Sequence, residues 1–137
     1  MYGFGKRSRQ SLDGVQPEVR ELCEMALSIS EVDFAVIDGF RTAKQQKEMY
    51  MSGASELDGV NRISDHQIGK AVDIIPYVKG IDIWAVHEPE VAVAWLEVYR
   101  AFMRASMKKK LVLEFGLGYN VGGGRDYPHI AVVGKLS

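Results

Sequence analysis

Apolar residues recur along the chain with two different periods, and these divide it into helices and strands. Within residues 17–30, Val19, Leu22, Cys23, Ala26 and Leu27 fall at i, i+3, i+4, i+7 and i+8, the spacing of a helix that buries one face. In residues 88–107, Val91, Trp95, Val98, Phe102 and Ala105 succeed one another at intervals of four, three, four and three, which predicts a long amphipathic helix. Thr42 with Gln45 makes a capping-box pattern at the head of a shorter helix over 42–52, stopped by Gly53. Strand formers cluster at 34–37, 71–75, 111–115 and 129–133; Asp38-Gly39 turns the first of these and Pro76 closes the second. Residues 54–63 read as polar and turn-like, and five glycines make 116–126 a predicted long loop. Helices and strands mix without a regular βαβ repeat, so the expected class is α+β.

Composition narrows the function. The chain has 137 residues, 47% hydrophobic and 26% charged, with no repeat or linker-like stretch, so one domain over 1–137 is expected. A domain near this size hides roughly 68–70% of the surface its unfolded chain exposes, so it needs no metal or disulfide to fold. Any metal would serve chemistry. Cys23, the single cysteine, lies on the apolar face of the first predicted helix and reads as a core residue. A net charge of −1 excludes a general nucleic-acid binder, and the basic clusters Lys6, Arg7, Arg9 and Lys108, Lys109, Lys110 read as solvated faces. The longest apolar run, 91–96, is far short of the ~20 residues that span a bilayer, so no stable membrane insertion is expected. Residues 1–14 carry early positive charge with no apolar stretch behind it, which does not fit a secretory signal and implies folding in the cytoplasm.

Two of the three histidines sit in segments with chemical character, Ser64-Asp65-His66-Gln67-Ile68-Gly69-Lys70-Ala71-Val72-Asp73 and Asp126-Tyr127-Pro128-His129. His66, Asp73 and His129 supply two imidazoles and a carboxylate, a set zinc accepts while keeping a fourth position for water. Gly69 would let the chain bend so that the first two converge. The spacing between His66 and Asp73 is not a standard short zinc motif, so the residues alone leave the metal open. Asp126 is either a base beside such a metal or a turn residue after the glycine loop. Arg41 is either a partner for a substrate carboxylate or oxyanion, or a surface charge. His87 matches no pattern and reads as structural or exposed.

The ordered set Ser64-x-His66-x-x-Gly69-x-Ala71-x-Asp73 with Asp126-x-x-His129 resembles the zinc peptidases of the D-alanyl-D-alanine carboxypeptidase and VanY group. Within that group, Phe4-Gly5-Lys6-Arg7-Ser8, the stretch from Asp33 to Thr42 and the short length are similar to the L-alanyl-D-glutamate peptidases that tailed bacteriophages use as endolysins. The resemblance implies the small α+β fold shared by the Hedgehog signalling domain and D-Ala-D-Ala peptidases, an antiparallel sheet with flanking helices. It implies that His66, Asp73 and His129 ligate Zn²⁺, that Asp126 is the general base, that Arg41 faces the oxyanion or a substrate carboxylate, and that Ser64 touches substrate. Two positions depart from the family pattern. Ala131 follows Ile130 where many members have glutamate, and Tyr119 stands near the glycine loop where tryptophan is common.

The implied reaction is zinc-assisted hydrolysis of the L-alanyl-D-glutamate amide bond in the stem peptide of bacterial peptidoglycan, leading to host cell lysis. The implied enzyme is a monomer in the host cytoplasm with no separate wall-binding domain, and it reaches the wall only after a holin-like protein has permeabilised the membrane. Two other readings stay open: a D-alanyl-D-alanine carboxypeptidase on the same scaffold, and a non-catalytic, metal-stabilised wall-binding module. A serine hydrolase built on Ser64, His66 and Asp73 is disfavoured, because Ser64 lacks a nucleophile-elbow context.

Overall fold

The computed structural model describes residues 2–118, 120–121 and 124–136. The helices are α1 (Lys6–Ser11), α2 (Pro17–Ile29), α3 (Ala43–Met51) and α4 (Pro89–Lys109). The strands are β1 (Asp33–Asp38), β2 (Ala71–Tyr77), β3 (Leu111–Phe115), β4 (Asn120–Val121), β5 (Gly124–Arg125) and β6 (His129–Lys135), with a 3-10 turn at Gly116–Gly118. Four strands form an antiparallel sheet in the order β1-β2-β6-β3, and β4 pairs with β5 in a separate ladder. This is the α+β class expected from the sequence.

The two periodic helices bury the faces their spacing predicts: Val19, Leu22, Cys23, Ala26 and Leu27 on α2, and Val91, Trp95, Val98, Phe102 and Ala105 on α4. The helices pack on each other, and α4 lies against β2 and β3. Phe34 and Val36 of β1, Val72 and Ile74 of β2, and Ile130 and Val132 of β6 complete one core with them. Phe34 meets Phe102 with ring centroids 5.3 Å apart. Burying each large side chain of this kind contributes about 1.5–3 kcal/mol. Burial also pushes the Cys23 thiol up, as befits a core residue. Strand side chains alternate between faces, so Asp73 and His129, interleaved with these core residues, fall on the opposite face of the sheet.

Three local expectations change. First, β2 does not end at Pro76. The Ile74 amide donates to Pro128 on the β6 side, so the nitrogen of Pro76, two residues on, faces that same side, where the β2–β6 pairing has already run out past Asp73. Second, a helix, α1, stands where the sequence reading assigned no element. It is six polar residues long, and it docks through Ser8, whose buried hydroxyl accepts from the Val36 amide at 3.1 Å. Third, 116–126 is not a plain loop, because it holds the 3-10 turn and the β4–β5 ladder. Tyr119 lies outside the described residues.

Helix α3 begins with the predicted capping box: the Gln45 amide donates to the Thr42 hydroxyl and the Thr42 amide to the Gln45 side chain. Helix α4 ends on Lys110, which takes a left-handed conformation at φ 57°. Glycine reaches that region without a Cβ clash. Lys110→Gly is therefore expected to stabilise the fold by about 1 kcal/mol, read as a rise of roughly 3–5 °C in melting temperature by calorimetry.

Candidate active site

The site is built where the open face of the sheet meets the turns that follow β1 and precede β2. Asp73 on β2 and His129 on β6 are direct partners in the antiparallel register, which sets their side chains beside each other. His66 comes from the turn before β2. Its Nδ1 lies 2.7 Å from the Gly39 carbonyl oxygen. A carbonyl only accepts, so Nδ1 carries a proton there, and the other ring nitrogen, Nε2, faces Asp73 Oδ1 at 3.4 Å. His129 Nδ1 lies 3.6 Å from the same oxygen, and the two imidazoles meet edge to face at 5.2 Å.

Two glycines make this approach feasible. Gly69 turns the chain between His66 and Asp73 at φ +72°, and its carbonyl accepts from the Gln16 amide at 2.9 Å. At Gly39 a Cβ would collide with the Ser11 carbonyl at the end of α1, so only glycine lets β1 exit close enough to offer its own carbonyl to His66.

Arg41 is buried and fixed by three partners. Nε donates to Asp38 Oδ2 at 2.7 Å, one terminal nitrogen to Gln46 Oε1 at 3.0 Å, and the other to Asp73 Oδ2 at 3.2 Å. Gln46, fully buried on α3, passes this order outward through Nε2 to the Ser55 hydroxyl and the Leu57 carbonyl. Asp38, Gln46 and the Gly39 carbonyl were not singled out from the sequence; each acts through a contact between distant segments or through backbone, which residue type does not announce. Ser64 is buried, and its hydroxyl accepts from the His66 amide at 3.1 Å. His87 is exposed, 3.6 Å from Glu88 and away from the cleft, as its isolation implied.

All six residues singled out from the sequence, Arg41, Ser64, His66, Asp73, Asp126 and His129, line one cleft of about 620 Å³. Burial raises the proton affinity of Asp73, but the close imidazoles of His129 and His66 more than reverse it and hold the carboxyl well below the usual range. Burial lowers that of His129, and Asp73 followed by Asp126 turns the net shift upward. Asp126, half-buried, is shifted up by burial and by the Asp73 charge, against the pull of His129, His66 and Arg41.

The arrangement fits a metal ion. Asp73 Oδ1 is buried and has no hydrogen-bond partner among the described residues, an expensive state for a carboxylate unless a cation completes it. Donor atoms of His66, Asp73 and His129 all lie within 4.8 Å of one another. Ligands about 2.0–2.2 Å from a tetrahedral ion stand about 3.3–3.6 Å apart, which accommodates the 3.4 and 3.6 Å separations.

Comparison with known proteins agrees with this architecture. The L-alanyl-D-glutamate peptidase of Escherichia phage T5 is 33% identical over 126 residues, covering 92% of this chain and 86% of that protein. The crystal structure of Serratia marcescens L-Ala D-Glu endopeptidase ChiX superposes with a TM-score of 0.75 at 28% identity, over 95% of this chain and 89% of that one. The vancomycin-resistance D,D-dipeptidase VanXYg, solved with a D-Ala-D-Ala phosphinate analogue, shares the fold at a TM-score of 0.55 and 15% identity, over 88% of this chain and 51% of its own. A family model described as phage L-alanyl-D-glutamate peptidase matches residues 1–131. With a match of that extent beside a T5 relative so nearly coextensive, this chain belongs to the phage L-alanyl-D-glutamate peptidase family.

Proposed function

We propose that the chain is a zinc-dependent endolysin that hydrolyses the L-alanyl-D-glutamate amide bond of peptidoglycan stem peptides. The observation that carries this reading is the buried Asp73 Oδ1, without a hydrogen-bond partner among the described residues and facing two imidazoles, with the second carboxylate of Asp126 in the same cleft. His66, Asp73 and His129 would hold the ion, and a set of two histidines and one carboxylate suits zinc in an open catalytic site. A bound zinc ion supplies Lewis acidity to the scissile carbonyl and to the attacking water. Asp126 accepts the proton of that water and delivers it to the departing amine nitrogen; its raised proton affinity suits both halves of the task.

Arg41 has five N–H donors, of which three are committed to Asp38, Gln46 and Asp73, so two remain for the oxygen that gains charge as the carbonyl becomes tetrahedral. Ser64 keeps its hydroxyl proton for a substrate carbonyl. Arg41→Ala is expected to lower kcat about 10²–10³-fold, the usual effect of losing one such donor. Steady-state kinetics on a synthetic stem peptide check this. Arg41→Lys should recover little, because an ammonium cannot reproduce the fork between Asp38 and Asp73.

In this reading residues 1–137 serve as one catalytic domain acting as a monomer on the wall. No helix among the described residues is long and apolar enough to cross a membrane, and release from the cytoplasm to the wall is assigned to a separate holin-like protein. Mass spectrometry of peptidoglycan digested by the purified protein tests the reaction: new L-alanine carboxyl termini are expected. Release of free D-alanine would instead mark a carboxypeptidase.

A further inference from the structure

An anionic stem peptide entering this cleft meets carboxylates from Glu56, Asp65, Asp73 and Asp126, so its own negative charge needs a cation not already engaged. Arg41 is paired with Asp38 and Asp73. Arg125 lines the cleft as well, and its bond to the Leu117 carbonyl at 3.2 Å tethers its guanidinium to the 3-10 turn without neutralising it. Arg62 lines the same cleft, is exposed, and its guanidinium donates to nothing among the described residues.

Its backbone, by contrast, is firmly held. Asp58 Oδ1 accepts from the amides of Val60, Asn61 and Arg62 at 3.0, 2.9 and 2.9 Å, and the Gly59 amide donates to the Arg62 carbonyl at 3.0 Å. Gln67 clamps the arch to the His66 turn, donating to the Gly59 carbonyl and accepting from the Ser64 amide, each at 3.0 Å. From the other side Gln46, which also holds Arg41, binds the Leu57 carbonyl at 2.8 Å. The network that orders the catalytic end of the cleft therefore fixes the base of Arg62 and leaves its charge uncommitted. A cation on a rigid arch binds with less ordering cost than one on a loose loop.

We propose that Arg62 forms a carboxylate subsite that binds the free carboxyl of the D-glutamate on the leaving side of the scissile bond. The proposal rests on the peptidase reading above. D-Glutamate in a stem peptide uses one carboxyl to continue the chain and keeps the other, a few bonds from the nitrogen that receives the proton from Asp126. A guanidinium pairs both oxygens of a carboxylate in parallel, whereas a primary amide offers a single accepting oxygen and no charge.

The test is an internal competition between two synthetic peptides, identical except that the free carboxyl of D-glutamate is retained in one and converted to a primary amide in the other. The ratio of their kcat/KM values does not depend on how much of a variant is folded. Wild type is expected to prefer the carboxylate about ten-fold, through KM, with the preference shrinking as salt rises. Arg62→Gln should bring the ratio to about one, and Arg62→Lys should hold it between. An unchanged ratio in Arg62→Gln, or its collapse in Arg125→Gln instead, overturns the proposal. Preference for the carboxylate in neither protein, with both peptides cleaved, also overturns it while leaving the peptidase reading intact. Cleavage of neither peptide by wild type overturns the peptidase reading and the subsite with it.

Discussion

His66→Ala is expected to purify without zinc and to release no L-alanine carboxyl termini from peptidoglycan, whereas wild type is expected to carry about one zinc per chain. The loss should be near total because His66 does two things at once. Its Nε2 faces the buried Asp73 oxygen, and its Nδ1 proton ties the β1 exit to the turn through the Gly39 carbonyl. Without the imidazole, Asp73 and His129 remain as two donors, too few to hold the ion against solvent. Metal analysis with digestion of peptidoglycan checks both halves. Chelation of wild type separates metal loss from misfolding, since activity should vanish and return on adding zinc. Full zinc occupancy in the His66→Ala protein would remove it from the ligand set.

Asp126→Asn is expected to keep zinc and to lose turnover, with kcat reduced about 10²–10⁴-fold and KM little changed. The amide is nearly the same size, so the turn that delivers His129, where the Asp126 carbonyl accepts from the His129 amide at 3.3 Å, should survive. What disappears is the carboxylate's capacity to take a proton, together with the negative charge it sets beside His129. Steady-state kinetics beside metal content read the two effects separately. Unimpaired hydrolysis with zinc bound would place the base elsewhere and would favour a role for Asp126 in the turn alone.

The sequence revealed most of this protein where one residue type carries one meaning. The apolar spacing of α2 and α4 is unambiguous because each buries a full helical face. The joint site of His66, Asp73, His129, Asp126 and Arg41 was legible only through the resemblance of their ordered motif to a zinc peptidase group, because residue types and spacing alone left the metal, Asp126 and Arg41 open. Helix α1 was not legible, because Ser8 anchors it by a hydroxyl rather than by apolar pattern. The passage of β2 through Pro76 was not, because whether a missing amide matters depends on which neighbour stands opposite, a property of topology. Gln46 was hidden for a similar reason: a buried glutamine joining Arg41 to a loop is indistinguishable in one dimension from a solvated one.

The placement of the three proposed metal ligands also sets where the site can breathe. Asp73 and His129 ride on β2 and β6, the two interior strands, each hydrogen-bonded to a neighbour on both sides around the site. Opening either means breaking two ladders together. His66 rides on a turn tied to several separate segments, by the Arg41 amide to its carbonyl, its own Nδ1 to the Gly39 carbonyl, Gln16 to Gly69 and Ile68, and Gln67 to Gly59. Bonds to separate segments can break one at a time, unlike the rungs of a ladder, so exchange of a bound ion is expected to follow excursions of that turn while the sheet keeps the other two side chains in place.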